Sequence, residues 1–426
     1  MKKRSAGIAA LSVAAMAAFT FGTTSNLDVK ADSESNNRKA KNVIFINGDG
    51  MGAAQREAIR LATVGKYGQL AMDDMPHVGM VNTSSANALV TDSAAAGTAF
   101  ATGVKTNNGT IGVDTNGKPV KSSLEVAKDA GKATGLVTTA QVTDATPAAF
   151  GAHVVNRNAQ SDIAKQYIEN SKIDVILGGG EDYWFPAGNP GSHPDNPTED
   201  TSEASKGTNG NLVEQAKNSG YTYVTNVEEM KSAKGEKLLG LFANEEMFQQ
   251  KPEGQGDLYN PPVSLADMTQ KAIDTLSEDK NGFFLVVEEE AIDEMPHNNN
   301  GELTLKAGKE LDNAVAVAKE YAKKHPDTLV IVAGDHETGG LTIEDAGNKD
   351  ESGDAISKED GPFNIANSNE QFVMDWTTTN HTSTPTPLTA MGPGAELLAG
   401  VYENTYLHDA MIKAMNLTKK DTDSNK

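Results

Sequence analysis

Cysteine is absent from this chain of 426 residues. Its absence excludes disulfide bonds, and it excludes zinc sites built on thiolates. A lipid-modified cysteine near the N-terminus is excluded as well. Any bound metal ion must therefore be held by carboxylates, imidazoles and hydroxyls.

The chain has far fewer basic than acidic residues. The 37 lysines and arginines face 59 aspartates and glutamates, which gives a formal net charge of −22. A field of this sign repels nucleic acids and anionic membranes, so we expect no nucleic-acid binding. An anionic substrate would also be repelled at long range, and it would need strong local positive charge, which metal ions can supply.

Long apolar runs are missing beyond the first residues. A basic start precedes an alanine-rich run from Ala6 to Phe21, and Ala31 is a small residue of the kind that signal peptidases favour. We therefore predict a signal peptide over residues 1–31, a flexible leader over 32–40 and a secreted protein, whether extracellular, cell-wall-associated or periplasmic. An uncleaved N-terminal anchor is the alternative, and no later run is long enough for a stable membrane span.

Short apolar runs alternate with helical patterns along the rest of the chain. Predicted strands cover residues 41–47, 133–139, 173–177, 283–287 and 328–333, and predicted helices cover 53–63, 122–131, 212–219 and 305–324. Such alternation predicts a three-layer α/β sandwich, with a large, mainly parallel central sheet flanked by helices on both faces.

Two turn-rich segments, near residues 186–211 and 344–369, interrupt this pattern. We interpret both as surface insertions in a single catalytic domain over residues 41–420. The second insertion contains four possible calcium ligands, Asp345, Asn348, Asp350 and Asp354. Because their spacing fits no calcium-loop template well, a solvated loop is the expected alternative.

Acidic side chains directly follow three of the predicted strands. Asp49 follows the first strand, Glu288 follows the run FFLVV, and Asp335 with His336 follows TLVIVAG. One such coincidence would mean little, because turns favour aspartate. Since open α/β sheets bind ligands beyond the carboxyl ends of their strands, three together predict a common metal site.

Ser93 precedes an alanine-rich run that is typical of a helix, with Thr91 or Asp92 as its N-cap. Backbone N–H groups and the positive end of the helix dipole would then point at Ser93. No Gly-x-Ser-x-Gly motif surrounds this serine, so an esterase-type triad is not indicated. Taken alone, Ser93 is more simply explained as a capping residue.

Histidines are few, with eight in the chain. Three of them, His336, His297 and His381, lie in polar, turn-like surroundings where a metal ligand could sit. Asp293 lies four residues before His297, but Pro296 between them argues against a regular helix. We therefore predict that a tight loop brings Asp293 and His297 together.

These residues fall in motifs that resemble the alkaline phosphatase family. The motifs are GDGMG, TDSAAAGTA, DATPAAF, VE-x₄-D-x₃-H, DHETGG and a late NHT, and they occur in the family's order from about Lys41 to Glu403. Each motif alone is moderately specific, whereas the ordered set is highly specific. The resemblance implies a secreted homodimer that hydrolyses small phosphate monoesters with two Zn²⁺ and one Mg²⁺ per chain.

The resemblance also implies a role for each matching position. The two zinc sites would be formed by Asp49, Ser93, Asp335 and His336, and by Asp293, His297 and His381. The magnesium ligands would be Asp49, Thr146 and Glu288. Ser93 would be the nucleophile that forms a phosphoserine, and Arg157 in HVVNR would clamp the phosphate.

The chain departs from the family pattern beside this site. Glu289 and Glu290 stand where relatives usually have glycine and a small or polar residue, which puts the local backbone in question. Glu294 stands where Lys, Trp or His is common, so we hypothesise weak binding and fast release of phosphate. Asp144 matches those relatives that have aspartate there, where it would organise water around the magnesium ion.

Two other functions are weighed against this one. A phosphodiesterase or sulfatase of the same superfamily would usually lack the third-metal set, whereas Thr146, Glu288 and Arg157 are all present. An inactive metal-storing scaffold would be favoured by loss of Ser93 or of a zinc ligand, and none is lost. Both alternatives are therefore less well supported than a monoesterase.

Overall fold

The structure, a computed structural model, describes residues 39–198, 200–248, 256–346 and 358–417. The predicted signal peptide and residues 32–38 of the predicted leader lie outside these ranges. The prediction of a flexible leader is wrong at its last residue, Ala40, which is buried. Its N–H donates to the carbonyl oxygen of Ala414 at 2.9 Å, so the chain is already anchored there.

The described residues contain fifteen strands. In chain order they are β1 (Asn42–Gly48), β2 (His77–Asn82), β3 (Ala133–Gln141), β4 (Val175–Gly179), β5 (Thr222–Val224), β6 (Leu238–Leu241), β7 (Phe283–Glu289), β8 (Thr328–Ala333), β9 (Glu337–Thr338), β10 (Leu341–Asp345), β11 (Lys358–Asn364), β12 (Gln371–Trp376), β13 (His381–Thr382), β14 (Thr386–Met391) and β15 (Gly400–Glu403).

The described residues also contain eleven α-helices. They are α1 (Ala53–Val64), α2 (Ser93–Thr102), α3 (Ser123–Asp129), α4 (Ala145–Gly151), α5 (Gln160–Glu169), α6 (Leu212–Asn218), α7 (Val227–Ser232), α8 (Leu265–Leu276), α9 (Ala291–His297), α10 (Gly301–Lys324) and α11 (Tyr406–Ala414), with short 3₁₀ helices at Glu181–Tyr183 and Ala395–Leu398.

Ten strands form the central sheet, in the order β15-β2-β14-β8-β1-β7-β3-β4-β6-β5. Only β14 runs against its neighbours in this sheet, so the sheet is mainly parallel, as predicted. Strands β1, β7 and β8 are buried along their whole length, which explains their continuous apolar sequences. They lie next to one another in the order β8-β1-β7, at the middle of the sheet.

Helices cover both faces of this sheet, which confirms the predicted three-layer architecture. On β1, Phe45 packs in one apolar cluster with α2, α3, α4, α5, α6 and α11, while Ile44 packs in a second with α1, α7, α8, α9 and α10.

The longest helix, α10, starts four residues before its predicted beginning. Its N-cap Asn300 accepts a hydrogen bond from Leu303 N at 3.1 Å, which fixes the earlier start.

The second predicted insertion contains strands where the structure describes it. It contains β11 and the end of β10, which flank β12 in a three-stranded antiparallel sheet. This sheet forms because β12 buries Phe372, Met374 and Trp376 against α1, and β10 and β11 pair with its two edges. Of the four possible calcium ligands only Asp345 lies within the described residues, so the calcium hypothesis stays untested.

The first predicted insertion has little regular structure where it is described. Between Pro186 and Asn211 the described residues form turns, with one isolated bridge between Pro186 and Gly207.

Nowhere in the described ranges is a helix both long and apolar enough to cross a membrane. The prediction of a single domain over residues 41–420 stays a prediction.

Candidate active site

The carboxyl ends of β1, β7 and β8 bring the predicted acids together. Asn47 at the end of β1 is in register with Glu288 on β7 and with Ala333 on β8. Asp49 therefore follows its strand beside Glu288 on one side and Asp335 with His336 on the other. Ligand atoms of Asp49, Asp335 and His336 all lie within 4.8 Å of one another, a spacing that one metal ion can bridge.

Asp49 is held at this position by a tight turn. Gly50 has a φ of 69°, a conformation that side-chain-bearing residues avoid. A Cβ on Gly50 would also lie 2.7 Å from the Cα of Asp293, so the turn packs directly against α9. Glycine at position 50 thus lets two parts of the site approach closely.

Several carboxylate oxygens here lack the donors that buried charges need. Within the described part of the chain, neither oxygen of Asp49 and only one oxygen of Asp335 accepts a hydrogen bond. Both side chains are fully buried. Burial raises the pKa of Asp49, with the Asp335 carboxylate as the next cause, and it raises the pKa of Asp335 to about 6. Unpaired buried carboxylates are costly, so this arrangement fits a bound cation.

Ser93 is the first residue of α2, as predicted. The Asp92 side chain caps this helix by accepting a hydrogen bond from Ala95 N at 3.0 Å. Ser93 Oγ lies 3.1 Å from His336 Nε2, which joins the serine to the group formed by Asp49 and Asp335. Gly97 lets α2 approach α4 closely, because a Cβ there would lie 3.1 Å from the Cβ of Ala149.

The second predicted metal group is also assembled. His297 Nε2 lies 3.1 Å from Asp293 Oδ2 and 3.2 Å from His381 Nε2. His381 Nε2 lies 3.4 Å from Asp293 Oδ1. The prediction of a loop between Asp293 and His297 is wrong, because both lie on one face of helix α9 at the i, i+4 spacing. Pro296 lies inside this short helix, where it lacks the N–H that would donate to the preceding turn, and the helix ends one residue later.

Both histidines of this group are oriented by backbone carbonyls. His297 Nδ1 donates to Thr379 O at 2.7 Å, and His381 Nδ1 donates to Thr91 O at 2.9 Å. The Nε2 atoms therefore face Asp293, in the orientation that metal-bound imidazoles usually take. Burial lowers the pKa of His297, but the Asp293 carboxylate outweighs it and raises that pKa to about 9.

The predicted magnesium ligands Thr146 and Glu288 are linked by a residue that the sequence did not single out. The side-chain amide of Asn47 lies 3.4 Å from Thr146 Oγ1 and 3.5 Å from Glu288 Oε1. Glu288 Oε2 accepts a hydrogen bond from Thr138 Oγ1 at 2.7 Å. Burial raises the pKa of Glu288 to about 8. A polar residue at the end of a buried strand was the signal that could have identified Asn47.

Arg157 is held by two acids, one of which is Asp92, the residue before Ser93. Its Nη2 donates to Asp144 Oδ1 at 3.1 Å, and its Nη1 lies 3.6 Å from Asp92 Oδ2. Burial lowers the pKa of Arg157, but Asp144 and Asp92 outweigh it, so the guanidinium stays charged. Asp92 thus caps α2 and orients the arginine, and only the first role was predicted. The predicted role of Asp144 toward water stays a prediction.

The two unusual glutamates need no glycine-like backbone. Glu289 is the last residue of β7, and Glu290 has a φ of −76° and a ψ of −37°, which any residue adopts. Both oxygens of Glu289 are paired: Oε1 accepts from Thr139 Oγ1 at 2.9 Å and Oε2 accepts from Tyr259 OH at 2.8 Å. The Glu289 side chain therefore links the end of β7 to Thr139 on β3 and to Tyr259.

Comparison with known proteins decides the family. The family model described as alkaline phosphatase matches residues 40–363. The chain belongs to the alkaline phosphatase family. The phosphatase is 33% identical to alkaline phosphatase 4 of Bacillus subtilis (strain 168), with 98% of each chain covered. It is therefore a phosphoric monoester hydrolase.

Solved structures agree with this assignment. The alkaline phosphatase of the Antarctic bacterium TAB5 is 31% identical to this phosphatase, with a TM-score of 0.70 over 89% of this chain and 99% of that one. A variant of the TAB5 enzyme was solved with Mg bound in its M3 site; it is 29% identical, with a TM-score of 0.69 over the same shares of the two chains. In this phosphatase the clustered donors make metal binding plausible as well.

Proposed function

We propose that this phosphatase hydrolyses phosphate monoesters through a phosphoserine at Ser93, at a site for two Zn²⁺ and one Mg²⁺. The observation that carries the proposal is the placement of Ser93 Oγ, 3.1 Å from His336 Nε2 and against the Asp49 and Asp335 group. A serine hydroxyl is a weak nucleophile and needs a neighbouring base or metal ion to activate it.

The chemistry of the donors fits this metal content. Imidazole nitrogen with carboxylate oxygen suits zinc, as in the groups around His336 and around His297 with His381. All-oxygen ligands suit magnesium, as in Asp49, Thr146 and Glu288. When bound, such ions would favour the ionised form of an attacking hydroxyl and stabilise the charge on a leaving oxygen.

The protein's own residues define the course of the reaction. Ser93 Oγ loses its proton and attacks phosphorus, and the bond from phosphorus to the alcohol oxygen breaks. The leaving oxygen takes up a proton, and the alcohol departs on the opposite side. Arg157 holds two non-bridging oxygens in a bidentate contact, while Asp144 and Asp92 keep its guanidinium in place. Backbone N–H groups at the start of α2 favour the negative phosphoryl group on Ser93. Attack by water then releases inorganic phosphate and restores the serine.

Turnover of p-nitrophenyl phosphate tests the proposal. Wild-type protein should be active, should lose activity on chelation, and should regain it when Zn²⁺ and Mg²⁺ are returned together. Ser93→Ala should be inactive while keeping its circular dichroism and metal content. Activity that survives both chelation and Ser93→Ala would overturn the proposal. Faster hydrolysis of the bis-ester would instead favour a phosphodiesterase.

The proposal also includes export from the cytoplasm and assembly into a homodimer. Export rests on the basic and apolar pattern of residues 1–31, and the homodimer rests on the family resemblance. N-terminal sequencing of protein recovered outside the cytoplasm should begin after Ala31 or close to it. Analytical ultracentrifugation should give a mass of twice the mature chain. An intact N-terminus or a monomer mass would contradict the corresponding part.

A further inference from the structure

Glu290 lies at the junction of β7 and α9, between the magnesium ligands and the zinc ligands. Its side chain is 5% exposed. Within the described ranges, its Oε2 atom is buried and has no hydrogen-bond partner. Glu289, one residue earlier, is equally buried but has both oxygens paired. Both glutamates are therefore buried, and they differ in that Glu290 has an unpaired oxygen among the described residues.

Glu290 forms a compact group with two of the proposed metal ligands. Ligand atoms of Asp49, Glu288 and Glu290 all lie within 4.8 Å of one another. Two oxygens on opposite sides of Mg²⁺, each bonded at about 2.0–2.1 Å, lie about 4.0–4.2 Å apart. The spacing of the three carboxylates is close to this range, so they can face the same divalent ion.

Arg157 acts electrostatically on Glu290, but more strongly on Asp144 and Asp92. Arg157 donates to Asp144 at 3.1 Å and lies 3.6 Å from Asp92, so its guanidinium is already paired with two carboxylates. Among the described residues, Asp49 and Glu290 have buried oxygens without a hydrogen-bond partner, and Glu288 lies beside them. Such a group of buried carboxylates strongly favours a divalent ion between them.

A different group also contains Glu290 but fits less well. Ligand atoms of Glu290, Asp293 and Glu294 are within 4.8 Å of one another as well. Asp293, however, already accepts from Thr338 Oγ1 at one oxygen and lies 3.1 Å from His297 Nε2 at the other. The oxygens of Asp49 accept no hydrogen bond from the described residues. The unpaired oxygens thus point to the group with Asp49 and Glu288.

We propose that Glu290 is a third carboxylate ligand of the magnesium site, in addition to Asp49 and Glu288. The inference rests on the proposed magnesium site. A third carboxylate raises the negative charge around the ion, so the site should bind divalent cations more tightly than one with two carboxylates. It also leaves fewer positions on the ion for water.

Binding of Mn²⁺, a paramagnetic substitute for Mg²⁺, tests the proposal without a rate measurement. Protein is stripped with chelator, reloaded with Zn²⁺ alone and titrated with Mn²⁺, with free Mn²⁺ followed by electron paramagnetic resonance. Glu290→Gln keeps the side-chain volume, and it should weaken Mn²⁺ binding by about tenfold or more. Glu290→Ala should do the same, and melting curves show that each variant is folded.

Two matched variants separate the possible outcomes. Glu289→Gln changes a neighbouring buried glutamate whose oxygens are paired, and it should leave Mn²⁺ affinity within about twofold of wild type. Glu294→Gln should do so too. Wild-type affinity in Glu290→Gln, or an equal loss in Glu294→Gln, would overturn the proposal. A wild-type protein that takes up no Mn²⁺, or a Glu288→Gln variant with unchanged affinity, would instead contradict the proposed magnesium site itself.

Discussion

Ser93 Oγ lies 3.1 Å from His336 Nε2, and the same nitrogen lies 3.3 Å from a carboxylate oxygen of Asp49 and 3.3 Å from one of Asp335. One imidazole therefore faces the serine and both acids at once. Burial lowers the pKa of His336 well below its usual range, so the ring is neutral and Nε2 can serve as a ligand. Ser93, the first residue of α2, is thus part of this group of candidate metal ligands.

Arg157→Ala should lower kcat/KM for a phosphate monoester by roughly 10- to 100-fold, because charge-assisted hydrogen bonds to two phosphate oxygens are worth about 1.5–3 kcal/mol. Arg157→Lys should recover little, since an ammonium cannot make the bidentate contact. Steady-state kinetics with p-nitrophenyl phosphate measure both variants. Equal rates for Arg157→Lys and wild type would show that only charge matters at this position.

Glu294→Lys should strengthen inhibition by inorganic phosphate. The substitution replaces a negative charge beside Asp293 with a positive one, so phosphate should bind more tightly and leave more slowly. The inhibition constant should fall by about tenfold. Glu302→Lys, an equal change of charge on the exposed first turn of α10, is the control and should have little effect. An unchanged or weaker inhibition in Glu294→Lys would rule out the hypothesis.

Bound metal ions should stabilise the folded state in addition to supporting the reaction. At a concentration of 100 times its dissociation constant, each ion should add about 2.7 kcal/mol to the free energy of unfolding, provided that it binds only the folded chain. Melting of stripped and reloaded protein measures this difference. Asp49→Asn should reduce the gain on reloading and should raise the melting temperature of the stripped protein, because an unpaired buried charge is removed. Identical melting of stripped and reloaded wild type would contradict a site built for cations.

His153 gives the fold a pH dependence away from the metals. Its Nδ1 lies 2.6 Å from Gly112 O and its Nε2 lies 3.0 Å from Glu125 Oε1, so both ring nitrogens face acceptors. Burial lowers the pKa of His153, but the Glu125 carboxylate outweighs it, and the pKa is raised. A raised pKa stabilises the folded state below the unfolded pKa, and this stability is lost as pH rises through the folded pKa.

His153→Gln should therefore destabilise the protein by about 1–2 kcal/mol near pH 6, and by less near pH 9. Chemical denaturation at the two pH values measures the difference. His408 gives the opposite sign, because burial lowers its pKa and so disfavours the folded state at acidic pH. His408→Gln should thus be relatively more favourable at the lower pH. The same pH trend in both variants would show that the ring environments are not as described.

Much of the site could be predicted from sequence because parallel strands end at one edge. Asp49, Glu288 and Asp335 each follow an apolar run, and the order β8-β1-β7 places those runs side by side. Residues that do not follow an apolar strand sequence lack this signal of a shared site. Arg157 lies in a loop placed by the packing of the whole fold, so only the family motifs indicated it. His381 begins the short strand β13, and before the motifs only its polar surroundings indicated it.

The errors in the sequence-based predictions have local causes. Pro296 suggested a loop, but helix α9 includes this proline and ends one residue later at His297. Glu290 could be seen only as a departure from the family, because no sequence pattern shows that its oxygen is unpaired and close to Asp49. The cap role of Asp92 followed from propensity, whereas its contact with Arg157 depends on tertiary packing.

The most direct test of the phosphoserine reaction at Ser93 is peptide mass spectrometry of enzyme quenched in acid during turnover of a phosphate monoester. The proposed reaction predicts one added phosphoryl group on the peptide that contains Ser93, and none in Ser93→Ala or in stripped protein. Steady turnover with no phosphoryl group on Ser93, or with one on another residue, would contradict it.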